Sequence, residues 1–203
     1  MDNRKVKKHG KRRIHIHNDL SNAAFHFKKS VDHRLSEGNI KGLTFDILAG
    51  IIMLAFSFEA KINFLGYKLI DPWNERLELR SKIKKIYKNL GINVDWNKEW
   101  NLRPFKTIDE IIKLRDSFAH GKPEERQVEE IIPILEDDIN ADSNDDLKSD
   151  CFQNCTNEFF QIADVDICQI WDFLLKQSGI SRFETLTRSE TSSTVINDSE
   201  NSC

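Results

Sequence analysis

The fold of this chain of 203 residues is decided by one nearly continuous apolar run, ILAGIIMLAFSF, at residues 47–58. A helix that is apolar on all sides is stable in water only when other elements surround it. The run is shorter than the ~18 or more apolar residues that a membrane-spanning helix needs. We therefore expect a buried helix over about 40–70, at the centre of an all-α bundle of four or more helices.

Further helices are predicted on both sides of the central one. Apolar residues at helical spacing predict helices over about 18–36 and from Pro72 to about 90, and a last helix over about 151–178. Asp71-Pro72-Trp73 is expected to end the central helix and to begin the next, because proline fits the first turn of a helix. No strand-like alternation or internal repeat is visible.

Two features of these predicted segments allow two interpretations each. The predicted helix that begins at Pro72 has lysines on its outer surface, which is either simply solvated or contacts an RNA backbone. The loop at 92–106 contains aromatic residues that either pack onto the core or stack on bases. These residues are Lys82, Lys84, Lys85 and Lys88 in the helix, and Trp96, Trp100 and Phe105 in the loop.

Composition indicates one globular domain, at about 18–180, with a tail on each side. The chain is 39% hydrophobic and 31% charged, and its net charge of −3 argues against strong nucleic-acid or membrane adhesion by the whole molecule. Residues 1–17 are basic and are expected to be a flexible arm, either solvated or touching RNA. An acidic linker is expected at 136–150 within the domain, and a disordered tail at 181–203.

Metal and cofactor motifs are missing from the sequence. The four cysteines, Cys151, Cys155, Cys168 and Cys203, have no matching second pair of Cys or His residues, so a zinc site is not expected. There is no phosphate-binding glycine loop, no His-Glu-x-x-His pair and no Gly-flanked serine elbow. We expect no cofactor, reduced cysteines and a cytoplasmic protein, since the basic start lacks the apolar segment of a signal peptide.

The stretch with the most chemical information is LRDSFAHGKP at residues 114–123. Thr107 and Glu110 are spaced as a capping box that would begin a helix there, and Gly121 would end it. Arg115 falls within the apolar stripe of this helix, where a charged group needs a partner or a purpose. Glu59 on the central helix is either that buried partner or an exposed charge.

The polar residues that follow Arg115 suggest a proton-transfer site. Asp116 and His120 are one turn apart, so the carboxylate is expected to hydrogen-bond the imidazole and orient it. Arg115 and His120 are separated by roughly 140° around a straight helix. One straight helix therefore cannot point both side chains at the same substrate atom. We expect either that the helix unwinds at Gly121 or that a second copy of the chain supplies the second side chain.

The motif Arg115-Asp116-Ser117-Phe118-Ala119-His120-Gly121, in this order after an apolar helix, an amphipathic Lys-rich helix and a loop, resembles the HEPN superfamily. The resemblance covers about residues 18–178 and implies a compact helical bundle that often dimerises, bringing two Arg/His motifs to one cleft. Many members are metal-independent endoribonucleases that act as toxins, in phage defence or in RNA processing. Carried over, Arg115 and His120 would be catalytic and Asp116 would be the accessory polar residue. Asp116 stands where asparagine is common in the family, although aspartate is also seen there.

The function expected from this resemblance is a metal-independent endoribonuclease. The ribose 2′-OH would attack the adjacent phosphate, His120 would move the proton and Arg115 would stabilise charge on phosphate. Further accessory residues of the expected site are Glu59, Asn63, Ser117 and Lys122. The expected partners are RNA, a second copy of the chain and an inhibitory or activating protein, with no membrane.

Two other interpretations stay open. In the first, the chain is a non-catalytic dimerisation or RNA- or protein-binding scaffold. Arg115 would then only bridge helices through Glu59, and His120 would only be favoured by the dipole at a helix C-terminus. In the second, it is an accessory subunit whose enzyme is a separate chain.

Overall fold

The computed structural model describes residues 5–121 and 155–196, and the described chain is mainly α-helical. The elements are β1 (Lys5–Arg13), α1 (Ile16–Ser36), α2 (Leu43–Leu69), α3 (Leu79–Asn89), the short α4 (Trp96–Glu99), α5 (Phe105–Ala119), α6 (Asn157–Ser178), a 3₁₀ turn (Arg182–Thr185) and β2 (Arg188–Ile196). The prediction of an all-α bundle is confirmed only as a mainly α-helical fold, because these residues also form a two-stranded sheet. The predicted acidic linker at 136–150 lies outside them.

Helix α2 is the centre of the bundle, as the apolar run predicts. It packs against α1, α3, α5 and α6 and buries fourteen of its residues. Gly50 lies under the Phe160 ring of α6, because only a residue without a side chain lets the two helices approach so closely. By length and composition alone, α2 is the single helix among residues 5–121 and 155–196 that could cross a membrane.

Two helix starts differ from the sequence prediction. Helix α5 begins at Phe105, so Thr107 is not a cap but a buried residue inside the first turns, 3% exposed. The reason is packing, since the Phe105 ring contacts Tyr87 and both loop tryptophans. Pro72 does not begin a helix either. Residues 70–78 form a loop whose Trp73 ring lies over Gly66 on α2, and α3 begins only at Leu79.

Residues 5–13 and 188–196, which lie in the predicted arm and tail, form strands in the structure. These segments form the antiparallel strands β1 and β2, in a register that pairs Lys7 with Thr194 and Arg13 with Arg188. We call this two-stranded sheet the basic ribbon. Both of its faces are exposed, so neither strand carries the apolar alternation by which a half-buried strand is recognised in a sequence.

The basic ribbon is fixed to the bundle at its base. The Asn18 side chain donates a hydrogen bond to the Thr185 carbonyl at 2.8 Å, and the buried His17 ring contacts the same oxygen through Nε2 at 3.1 Å. His17 also contacts the rings of Phe64 and Trp171. Burial, followed by the nearby His15, lowers the pKa of His17 from its ordinary 6.5 to about 4. His17 is therefore neutral near pH 7.

Candidate active site

Arg115 lies on α5 beside the apolar residues that attach this helix to α2. Its neighbours Ile111 and Leu114 are buried, whereas the Arg115 side chain keeps 15% of its surface exposed. Nη1 of Arg115 donates to Oε2 of Glu59 at 2.5 Å. Its Nε and Nη2 donate to Oδ1 of Asp116 at 2.9 and 2.7 Å. Two roles were predicted for Glu59, and in the structure it is the partner of Arg115.

Glu59 also holds a second cation. Nζ of Lys82, on α3, lies 2.7 Å from Oε1 of Glu59, and the Lys82 side chain is only 1% exposed. Lys82, Glu59, Arg115 and Asp116 thus form a charge network with two positive and two negative members. Buried charges are stable only when paired in this way.

Glu59 and Arg115 stay ionised although burial favours their neutral forms. Burial alone would raise the pKa of Glu59, but the hydrogen bonds and positive charges of Lys82 and Arg115 lower it below its ordinary value. Burial would lower the pKa of Arg115, but its hydrogen bonds to Asp116 and Glu59 raise it. Near pH 7, both Glu59 and Arg115 are therefore ionised.

Lys82 is a member of the site that sequence reasoning missed. We expected it on the outer surface of its helix together with Lys84, Lys85 and Lys88. Those three are exposed, but Lys82 is buried. Its position between Leu79 and Ile86, three and four residues from them, is the signal that places it at the edge of the buried stripe.

The charge network opens onto a cleft of about 620 Å³ between α3, α5 and the loops beside them. Beyond the network, the cleft is lined by a second set of charges, in which Asp109 binds both Arg80 and Lys113. The guanidinium of Arg80 lies 4.8 Å from the centre of the Trp100 ring. The cleft therefore offers charged hydrogen-bonding groups and an aromatic wall.

The loop aromatic residues pack rather than project. Trp96 and Trp100 stack at 5.7 Å between ring centres and both contact Phe105, and Trp96 also contacts Tyr87. This supports the core-packing interpretation of the 92–106 loop. Only Trp100 also lines the cleft.

His120 occupies the C-cap position of α5 and is exposed. Its backbone N–H donates to the Asp116 carbonyl at 3.0 Å. The predicted side-chain hydrogen bond between Asp116 and His120 is not present in the described part of the chain, because the Asp116 carboxylate binds Arg115 instead. Arg115 faces the bundle while His120 faces solvent.

The other predicted accessory residues have different positions. Asn63 accepts a hydrogen bond from the Trp73 indole at 3.4 Å and thus holds the 70–78 loop rather than Arg115. Ser117 is exposed and donates to the Leu114 carbonyl at 2.7 Å. Lys122 lies outside the described residues. The structure therefore brings together Glu59, Arg115 and Asp116.

Metal-ligating residues do not cluster in the described ranges. No group of three or more His, Cys, Asp or Glu residues within 5–121 and 155–196 could hold a metal ion. Cys155 is buried and Cys168 is exposed, while the other two cysteines lie outside these ranges.

Comparison with known proteins found no similar protein by any of three approaches: no family model, no curated protein and no solved structure matches this chain. Functional inference therefore depends on the residues of the site.

Proposed function

We propose that this chain is a HEPN-type endoribonuclease that cuts RNA without a metal ion, in which Arg115 and His120 are catalytic. The observation that carries the proposal is the environment of Arg115. Its guanidinium is kept charged and is oriented by Glu59, at the edge of an open cleft, five residues before an exposed histidine. Preorganised cations of this kind stabilise negative charge that develops in a transition state.

The geometry indicates how a phosphate would reach Arg115. Glu59 binds Nη1, whereas Asp116 occupies the edge formed by Nε and Nη2, which is the edge that binds oxyanions through two parallel hydrogen bonds. The Asp116 side chain is 49% exposed and can rotate into solvent at little cost. We therefore assign Glu59 as a positioning residue and Asp116 as an occupant that a substrate phosphate would displace.

The proposed reaction is a transesterification. The ribose 2′-oxygen forms a bond to phosphorus as its proton leaves, and the bond from phosphorus to the 5′-oxygen breaks as that oxygen gains a proton. His120 accepts the proton of the 2′-hydroxyl, and water supplies the proton that the 5′-oxygen gains. The products are a 2′,3′-cyclic phosphate and a 5′-hydroxyl end.

A second copy of the chain would complete this site. Arg115 and His120 of one chain face different directions, so the His120 of a partner chain is better placed to act beside Arg115. Two-fold symmetry would form two such sites in one cleft. This arrangement suits a toxin or phage-defence enzyme whose activity depends on assembly or on a regulatory protein.

One observation favours a non-catalytic scaffold as the second candidate. Both carboxylates beside Arg115 are already paired with it, so the charge network is complete without a ligand. In that case, Arg115 would only join α5 to α2, and the His120 side chain would have no function.

The experiment that distinguishes the two candidates is cleavage of a labelled RNA mixture in excess EDTA. Wild type should cut, and H120A should not. The matched control is H26A, which removes another exposed histidine, on α1, and should cut as wild type does. Equal cleavage by all three proteins would indicate a contaminant, and no cleavage by wild type would favour the scaffold.

A further inference from the structure

The basic ribbon has a charge composition unlike the rest of the molecule. Its residues 6–13 and 188–194 include six lysines and arginines and a single carboxylate, Glu190, in a chain whose net charge is −3. All of these residues are exposed. The six cations are Lys7, Lys8, Lys11, Arg12, Arg13 and Arg188, and none forms an ion pair within the described chain.

The strand register arranges these cations in rows. Side chains alternate between the two faces of a strand, so Lys7, Lys11 and Arg13 share one face with His9. The residues opposite them on β2 are Thr194, paired with Lys7, Ser192, paired with His9, Glu190, paired with Lys11, and Arg188, paired with Arg13. This face therefore carries four cations and one carboxylate. Successive positions on this face recur at ~6.7 Å along the strand, which is comparable to the separation of neighbouring phosphates in a nucleic-acid strand.

The ribbon has little to stabilise it apart from its own hydrogen bonds. An isolated two-stranded ribbon is marginally stable in water unless a third element covers it. Here the two strands are held at the base by the contacts of His17 and Asn18 with Thr185, but both faces beyond that base are uncovered. Such a ribbon is suited to a partner that brings negative charge along its whole length.

We propose that the basic ribbon binds the phosphate backbone of RNA, and that Lys7, Lys11 and Arg13 on one face are the principal contacts. Arginine and lysine provide charge, and the hydroxyl groups of β2 provide additional donors to phosphate oxygens. Such contacts do not depend on the base sequence of the RNA. They weaken as salt increases, because binding releases counterions from the RNA and this release is less favourable at high salt. This inference depends on the proposed function only in taking RNA as the polyanion.

The test measures binding of wild-type protein to a 2′-O-methylated RNA, which transesterification cannot cut. The ribbon variant carries K7Q, K11Q and R13Q. The control carries K84Q, K85Q and K88Q, which remove the same charge from exposed positions on α3. All substituted residues are exposed, and equal melting temperatures of the three proteins would confirm that folding is intact.

We expect the ribbon variant to bind at least about tenfold more weakly at low salt. The slope of log affinity against log salt should fall by ~2, because each lost contact with single-stranded RNA contributes ~0.7. The control variant should keep the wild-type affinity and slope. Equal effects of the two variants, or binding of anionic vesicles but not of RNA, would overturn the proposal.

Failure of this proposal can be distinguished from failure of the proposed function. If wild type binds the methylated RNA through the ribbon but never cuts unmodified RNA, then the ribbon proposal stands and the ribonuclease proposal does not. If unmodified RNA is cut but the ribbon variant binds and cuts as wild type does, then the ribbon is not a substrate contact.

Discussion

The Arg115 guanidinium donates to the Glu59 carboxylate at 2.5 Å, joining α5 to α2 across 56 residues of sequence. The same carboxylate accepts a hydrogen bond from Lys82. One acidic side chain therefore compensates two cations from two different helices, and the stability of the bundle and the orientation of the proposed catalytic arginine depend on the same group.

E59Q should destabilise the fold by about 2–4 kcal/mol, because it leaves the buried Lys82 and the mostly buried Arg115 without their shared negative charge. Denaturant unfolding measures this change. The control is E110Q on α5, where the exposed carboxylate lies 4.0 Å from Lys106 and should contribute less than about 0.5 kcal/mol. Equal effects of the two substitutions would contradict the central role of Glu59.

G50A should destabilise the fold by about 1–3 kcal/mol, although alanine is normally the better helix former. A Cβ atom at this position would lie 2.3 Å from Cζ of Phe160. The matched test repeats G50A in an F160L background, where the ring is absent and the cost should be smaller. If the cost in the two backgrounds is the same, then close contact between α2 and α6 is not the cause.

Stability should fall as the pH is lowered from 6.5 towards 4, because the folded protein resists protonation of His17 whereas the unfolded chain accepts the proton. The contribution of His17 is fully present above pH 6.5. Between pH 6.5 and pH 5 the loss should be about 2 kcal/mol, because each pH unit between the folded and unfolded pKa values changes the free energy of unfolding by ~1.4 kcal/mol. Melting curves of wild type and H17Q from pH 5 to 7 test this, with H26Q as the exposed control. If the melting temperature of H17Q depends on pH as steeply as that of wild type, then His17 is not the cause.

D116N should tighten the binding of 2′-O-methylated RNA by about fivefold, since removing one negative charge at ~4 Å in water changes the interaction by ~1 kcal/mol. The change frees the Nε and Nη2 edge of Arg115 for a phosphate. D172N is the matched control, because Asp172 on α6 is a similarly exposed partner of an arginine, Arg182. Weaker binding by D116N would contradict the role assigned to Asp116 as a displaceable occupant.

The central helix and the need of Arg115 for a partner were accessible from the sequence, whereas Glu59 was only one of the alternatives for that partner. A long apolar run must be surrounded, and a charge within an apolar stripe needs a partner; both conclusions follow from local pattern alone. Lys82 escaped prediction because lysines at the edge of a stripe look the same in sequence whether their ammonium group is buried or exposed. The burial of Lys82 is favourable because Glu59, on another helix, pairs with its ammonium group.

The basic ribbon and the start of α5 escaped prediction because nonlocal contacts determine them. Strand β1 forms by pairing with a segment at the other end of the described chain, and its exposed faces leave no apolar alternation. Helix α5 begins where Phe105 meets the rings of Trp96 and Trp100, not at the capping sequence two residues later. Likewise, Asp116 binds Arg115 rather than His120 because the arginine is held in place by Glu59.

The most direct test of the account compares cleavage of two labelled strands of one sequence, one of RNA and one fully 2′-O-methylated, in excess EDTA. The proteins are wild type, H120A and R115K, the last of which keeps the charge but loses the bidentate edge. We predict that wild type cuts only the unmodified strand, leaves 2′,3′-cyclic phosphate ends, and loses at least about a hundredfold in rate in each variant. Cleavage of the methylated strand, or an undiminished rate in H120A, would contradict the claim that Arg115 and His120 direct 2′-OH attack.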